Sequence, residues 1–187
     1  MIKRIMKLNN FSLLIKGKIV KILESKDLIF KTEISQEDVV KLHQNVFCHE
    51  ECAKYMLWKP NKNIEWTIQR LKRWTNNEYE FYYIYEKATL VPIGFLTFFK
   101  NETTVKNIGL CVGKDYFRKG YGKQSLKSLI NYCKIAGVKL IEYSAFHDNV
   151  ASTELAKSNG FEFVYNKKSI REHDKLEFVE DVFELKL

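Results

Sequence analysis

Two glycines one residue apart, Gly120 and Gly122, interrupt a run of cations in DYFRKGYGKQSLKSLI, just ahead of a long amphipathic segment. Glycine lets a main chain approach a ligand closely, and a helix N-terminus presents free N–H groups carrying partial positive charge. Lys114, Arg118, Lys119 and Lys123 crowd the same stretch. These are the makings of an anion site, and a phosphate or diphosphate is the usual occupant of such a loop. The local alternative is an exposed basic helix start.

Three glycine-rich devices compete for the segment. A P-loop requires Gly-x-x-x-x-Gly-Lys-Ser/Thr; here Gln124 follows Gly122-Lys123 and Phe117 stands where the first glycine belongs, so that reading fails. A dinucleotide fingerprint requires Gly-x-Gly-x-x-Gly directly after a strand. The third position is Ser125, and a basic connection separates the glycines from the strand that ends near Gly113. What remains is a loop whose successive backbone N–H groups line a diphosphate at a helix N-terminus.

The elements that must position this loop are readable from periodicity. Leu28–Glu33 is expected as a strand. A helix begins at Ser35 with Glu37 and Asp38 in its first turn and Val39, Val40, Leu42, Val46 and Phe47 as its apolar positions. Asn63 caps a second, with Ile64, Ile68, Leu71 and Trp74 at helical intervals. FYYIYE (81–86), IGFLTFF (93–99) and Ile108–Val112 read as an antiparallel meander. Leu126, Leu129, Ile130, Cys133 and Ala136 share one face of the helix after the glycines, which Gly137 ends. A strand at Leu140–Phe146, a helix from Asp148-Asn149 to Asn159-Gly160, and strands at Phe161–Tyr165 and Asp181–Leu187 complete a mixed α/β sheet. Residues 1–22 are expected as an N-terminal extension forming a hairpin, with Phe11–Ile15 and Ile19–Leu23 flanking Lys16-Gly17-Lys18.

Composition sets the class. The 187 residues suit one domain; 45% hydrophobic and 14% aromatic content fit a folded globule. With 31 basic against 23 acidic residues, the net charge of +8 suits polyanionic partners without requiring them. Cys48, Cys52, Cys111 and Cys133 form no disulfide framework, so a reducing cytoplasm is expected. Asn9, Asn10, Lys16 and Lys18 break the apolar start, so no signal peptide is expected, and no apolar run reaches the ~20 residues of a membrane span.

DYFRKGYGKQSLKSLI together with IEYSAFHDNVASTELAKSNGFEFV resembles the acetyl-CoA-binding half of the GNAT acetyltransferases, especially the RimJ/RimL-like branch. Lys119-Gly120-Tyr121-Gly122 falls on the branch's pyrophosphate loop, in which an aromatic commonly takes the place of Phe117. Asp148-Asn149-Val150-Ala151-Ser152, with Gly160-Phe161 following, falls on its second signature, and Leu23–Leu42 looks like its opening strand and helix. The likeness runs from Leu23 to Leu187. It implies a mixed, mostly antiparallel central sheet flanked by helices, whose central strands splay to admit the cofactor arm.

The resemblance also implies an activity, the transfer of acetyl from acetyl-CoA to an amine by direct attack. Phe117, Arg118, Lys119, Gly120, Tyr121, Gly122 and Lys123 would then hold the cofactor's phosphates. Main-chain groups of Leu110, Cys111 and Val112 would pair with its arm and polarise the thioester carbonyl. Asn149 would touch the arm, and the Ser152 hydroxyl would hydrogen-bond or protonate the leaving thiolate. The local reading makes Asn149 an N-cap and Ser152 an ordinary first-turn residue. Two departures stand out: Ala156 replaces the tyrosine acid of many family members, and Phe117 replaces the commoner Gln or Arg. An alkylamine needs a proton acceptor before it can attack; the resemblance offers Glu142.

Other features attract less chemistry. Cys48-His49-Glu50-Glu51-Cys52 lacks a second metal-ligating pair, and His43, His147 and His173 read as isolated, so no metal is expected. In Tyr55–Pro60 the aromatics read as exposed; Trp58, with Tyr83, is a candidate for substrate contact or for packing. Two function classes survive. One is an N-acetyltransferase acting on a protein N-terminus or small amine, as a monomer or homodimer. The other is a non-catalytic relative that senses acyl-CoA or binds RNA or ribosomes; Lys123, Lys127 and Lys134 could supply charge, but the absence of an aromatic stacking platform beside them argues against nucleic acid.

Overall fold

A computed structural model describes residues 4–5, 11–15, 18–75 and 79–187, the first part through Ile22 as backbone only. Strands β1 (Arg4–Ile5), β2 (Phe11–Ile15), β3 (Lys18–Glu24) and β4 (Leu28–Lys31) lead into α1 (Gln36–Leu42), which runs on as a π turn, His43–Phe47. Short α2 (Glu50–Ala53) and α3 (Ile64–Thr75) precede the meander β5 (Tyr79–Glu86), β6 (Pro92–Lys100) and β7 (Thr104–Val112). Then come α4 (Tyr121–Ile135), β8 (Leu140–Phe146), α5 (Val150–Lys157), β9 (Glu162–Arg171) and β10 (Leu176–Lys186). The strands lie in the order β1-β2-β3-β4-β5-β6-β7-β8-β10-β9, and every neighbouring pair is antiparallel except β7 with β8. β2 and β3 pair with Ile15 opposite Lys18; the expected turn at Lys16-Gly17 lies outside the described residues.

Local chemistry explains the helix ends. Ser35 Oγ accepts the Asp38 N–H at 3.1 Å and caps α1, while Lys41 bonds Glu37 one turn back at 2.6 Å. Gly137, at φ +75°, ends the α4 segment with its N–H on the Lys134 carbonyl, and Val138 N–H closes onto Cys133. The last two strands run well past the expected Phe161–Tyr165 and Asp181–Leu187. Their charged middles pair across the ladder, as Lys167 does with Glu180 at 3.0 Å, so charge there marks strand rather than loop.

Apolar side chains cover both sheet faces. On one, α4 and α5 seal Leu126, Leu129, Cys133, Ile141, Tyr143 and Phe183. On the other, α1–α3 cover an aromatic core in which Phe47 stacks on Phe95 at 5.8 Å and Trp74 lies 5.3 Å from the same ring. Cys111 and Cys133 are buried, and all four cysteines are free thiols.

The functional geometry begins with an irregularity in β7. Phe99 pairs with Lys106 but Thr97 pairs with Gly109, so Asn107 and Ile108 together face one residue of β6, and Asn107 takes a left-handed φ of +53°. Such a bulge bends its strand. Register between β7 and β8 is confined to Thr104 with Leu140 and Val105 with Ile141. Beyond those pairs the two strands part, so β7 toward Val112 runs without a β8 partner, its Val112 carbonyl meeting the Cys52 and Cys111 thiols at 3.8 Å.

Candidate active site

The glycine loop sits beside this fork. After a 3-10 turn at Lys114–Tyr116, Phe117 is extended, Arg118 has φ +60° and Gly120 φ +78°. Left-handed residues interspersed in a turn make successive N–H groups converge, which is how backbone anion nests form. Arg118 holds this conformation without glycine's freedom, a local strain of the kind found at ligand sites. No side chain caps α4, and its first internal bond is Gln124 N–H to Gly120 O at 3.0 Å. The N–H groups of Tyr121, Gly122 and Lys123 therefore have no intrahelical acceptor. A Cβ built on Gly120 would meet nothing within 4 Å, so the space beside the residue that precedes these amides is open. At Gly122 a Cβ would sit 3.7 Å from Leu155, an ordinary contact.

Side chains brace the loop from behind. Gln124, the residue that excludes a P-loop, accepts from Ser25 Oγ at 2.8 Å and Asp27 N–H at 3.0 Å and donates to Asp27 Oδ2 at 2.8 Å. Tyr121 donates to Glu86 Oε1 at 2.6 Å; this bond lifts the phenol to about 12 and draws the Glu86 carboxyl below its usual range. Phe117, Arg118, Lys119 and Lys123 are exposed. Lys119 Nζ lies 4.8 Å over the Tyr116 ring, and Lys114 is 3.7 Å from Glu51.

Leu110 and Val112 are half-buried toward α4, whereas Cys111 faces the opposite core, its thiol 3.7 Å from the Cys52 carbonyl. At the far edge of the fork, Asn149 caps α5, its Oδ1 accepting the Ser152 N–H at 3.3 Å. The half-exposed Ser152 Oγ lies 2.8 Å from the hydroxyl of Tyr143 on β8. Sequence reading missed Tyr143. Its signal was the alternation Ile141, Tyr143, Ala145, which places its ring on the α5 face of β8. Glu142 projects from the other face, half-buried and directly opposite Glu184. Ala156 is fully buried.

A pocket of about 480 Å³ opens between the α2–α3 connection and the tip of the β9–β10 hairpin, lined in part by Glu50, Lys54, Trp58, Pro60, Arg171 and Asp174. Contrary to its exposed reading, Trp58 is only 3% accessible: its ring packs 5.1 Å from Phe47. Its indole Nε1 is buried without a hydrogen-bond partner among the described residues. Tyr83 lies in the aromatic core, 5.0 Å from Phe81, where burial lifts its phenol to about 12. Arg171 grips Asp174 through Nε and Nη2 and donates Nη1 to the Lys54 carbonyl at 3.0 Å, tying the hairpin tip to α2; the Arg171 bonds hold the Asp174 carboxyl at about 2. Tyr55 spans to the β8–α5 corner, donating to the Asp148 carbonyl at 3.3 Å.

The histidines are not isolated. His43 Nδ1 is 2.7 Å from Thr67 Oγ1 and its Nε2 is 3.1 Å from Cys48 Sγ. His147 Nδ1 is 2.7 Å from Asp181, and His173 Nδ1 is 3.7 Å from Asp174. Tertiary contacts between distant segments create these pairs, which is why spacing did not show them. Burial raises the Cys48 thiol and lowers the His43 imidazole, so that pair is neutral and is no activated nucleophile. Among the described residues no cluster of three or more His, Cys, Asp or Glu side chains could hold a metal, and no helix is long and apolar enough to cross a membrane.

Solved structures share this architecture. The GNAT-family acetyltransferase from Bacillus anthracis superposes with a TM-score of 0.76 at 17% identity, over 88% of this chain and 98% of that one. An acetyltransferase from Salmonella typhimurium, which modifies the N-terminal serine of ribosomal protein L7/L12, gives 0.73 at 17% identity, over 87% and 96%. The microcin C7 self-immunity acetyltransferase MccE, solved with acetyl-CoA and AMP, gives 0.73 at 16% identity, over 87% and 94%. No curated protein shows significant sequence similarity. The family model described as "Acetyltransferase (GNAT) domain" matches residues 29–162, well over half of the sequence, and the chain belongs to that family.

Proposed function

We propose that the protein transfers acetyl from acetyl-CoA to a primary amine by direct attack, with Leu23–Leu187 as the catalytic domain and residues 1–22 appended. The observation that carries this reading is the open, uncapped N-terminus of α4 beside the fork between β7 and β8. The fit to a diphosphate-bearing thioester is good: converging amides from Arg118 to Lys123 suit the diphosphate, and the edge of β7 at Leu110 and Val112, which β8 leaves, suits an extended arm bound as an extra strand, whereas the Cys111 main chain pairs with Phe95 of β6. Acetyl-CoA supplies an activated acyl group. The protein's part is to hold it, to polarise its carbonyl from the β7 main chain, and to stabilise the leaving sulfur through Ser152. Asn149 steadies α5 and flanks the arm.

Glu142, on the face away from Tyr143, is the proposed proton acceptor for the attacking amine. Trp58 is the proposed acceptor-side residue, its side chain lining the pocket between the α2–α3 connection and the β9–β10 tip. Tyr83, the other proposed acceptor-side residue, belongs to the same buried aromatic cluster.

The test is free-thiol release from acetyl-CoA in the presence of a panel of small amines and N-terminal peptides. Release that depends on one acceptor class is expected. Tight cofactor binding with no turnover across the panel would favour an acyl-CoA sensor instead.

A further inference from the structure

Tyr143 carries one hydroxyl proton and is 5% accessible, so that proton needs a protein acceptor. The partner among the described residues is Ser152 Oγ, at 2.8 Å. Were Ser152 the donor, the phenolic proton would be left buried and unpaired; with Tyr143 as donor, both hydroxyls are satisfied and the Ser152 proton is free to point outward. The ring cannot readily swing away. It packs 5.7 Å from Phe161 and stands opposite Phe183 in the β8–β10 register.

We propose that Tyr143 is a positioning residue that donates to Ser152 Oγ and thereby aims the Ser152 proton at the sulfur leaving the thioester. This deepens, and rests on, the acetyl-transfer reading. As the amine forms its C–N bond, the C–S electron pair departs on sulfur and the surplus ammonium proton passes to Glu142 or solvent. No proton leaves Tyr143: burial raises its pKa, so the phenol remains a neutral donor throughout. A Ser152 hydroxyl that accepts one hydrogen bond donates a stronger one, because chained hydrogen bonds polarise each other. The tyrosine acid absent at Ala156 is thus replaced by a serine that a strand tyrosine orients from within.

Two measurements test this. In steady-state kinetics, Tyr143→Phe is expected to lower kcat on the order of tenfold with little change in the acetyl-CoA KM. Ser152→Ala should lose at least as much, and the double variant should be no slower than Ser152→Ala alone. Losses that multiply, or a wild-type kcat for Tyr143→Phe, would overturn the proposal. Independently of turnover, the thiol of bound CoA is titrated by its thiolate absorbance. Its pKa should be lower on the wild type than on either variant, and lower still with 3-fluorotyrosine in place of Tyr143, which keeps the ring, so the test survives a folding defect in Tyr143→Phe. An unshifted bound thiol sinks the relay alone. Absence of CoA binding sinks the acetyl-transfer reading and the relay with it, and bound CoA with a shifted thiol but no acceptor-dependent release sinks only that reading.

Discussion

The Tyr121 hydroxyl donates a 2.6 Å hydrogen bond to Glu86, joining the first residue of α4 to the last residue of β5. The helix start that faces the fork is thereby anchored to the sheet on its other side. Because the bond shifts both partners, its contribution depends on pH.

Glu86 is depressed below its ordinary 4.5, chiefly by the Tyr121 bond, so its share of stability is present above 4.5 and lost as pH falls through the lower folded value. Tyr121 is raised from 10.0 to about 12, so its share is present below 10.0 and lost as pH rises through about 12. The melting-temperature gap between wild type and Tyr121→Phe should be widest between these flanks and narrow on both. A gap that widens on acidification would contradict the assignment.

Gly120 and Gly122 should respond differently. At φ +78°, Gly120→Ala costs about 1–2 kcal/mol of backbone strain, whereas Gly122→Ala, inside the helix with only an ordinary contact to Leu155, is neutral or gains about 0.5–1 kcal/mol. Gly120→Asp adds a carboxylate before the amides and should abolish CoA binding by calorimetry. Unaltered affinity would remove the loop from the cofactor site.

Trp58→Phe deletes a buried donor that has no partner among the described residues. Relief of about 1–3 kcal/mol offsets the lost ring volume, leaving the denaturant midpoint nearly unchanged. The acceptor KM should rise while the acetyl-CoA KM stays constant. A change confined to acetyl-CoA would place Trp58 elsewhere in the mechanism.

Asn149→Ala removes the cap of α5 and should cost about 1 kcal/mol of stability. It should also raise the acetyl-CoA KM, since Asn149 flanks the proposed arm. Asn149→Asp, which keeps the cap, should restore the melting temperature; if it also restored the KM fully, capping alone would explain the residue.

Much of this architecture is legible in the sequence because it is local. Ser35, Asn149 and Gly137 mark helix ends through short-range hydrogen bonds, and the β-branched and aromatic run at Leu140–Phe146 coincides with β8. What escaped the sequence depends on pairing between distant segments. The lengths of β9 and β10 follow from cross-strand charge pairs, and the contact of His147 with Asp181 spans two strands. Tyr143 meets Ser152 only because α5 folds back over β8. Trp58 read as exposed because it sits in the connection between two helices, while its burial comes from Phe47 on another element.

The doubled step at Asn107–Ile108 also resets which way β7 points its side chains. Val105 packs against the α4 layer while Cys111, an even number of positions later, packs against the α1–α3 layer, an outcome strict alternation forbids. One surplus residue therefore both separates two neighbouring strands and swaps the inventory each layer receives. Because that instruction is written in chain count rather than in side-chain chemistry, the flanking residues can be almost wholly exchanged while the shape persists. That is in keeping with a TM-score of 0.76 at only 17% identity. On the proposed reading, acceptor preference can then drift with the lining residues while the carrier's berth stays where it is.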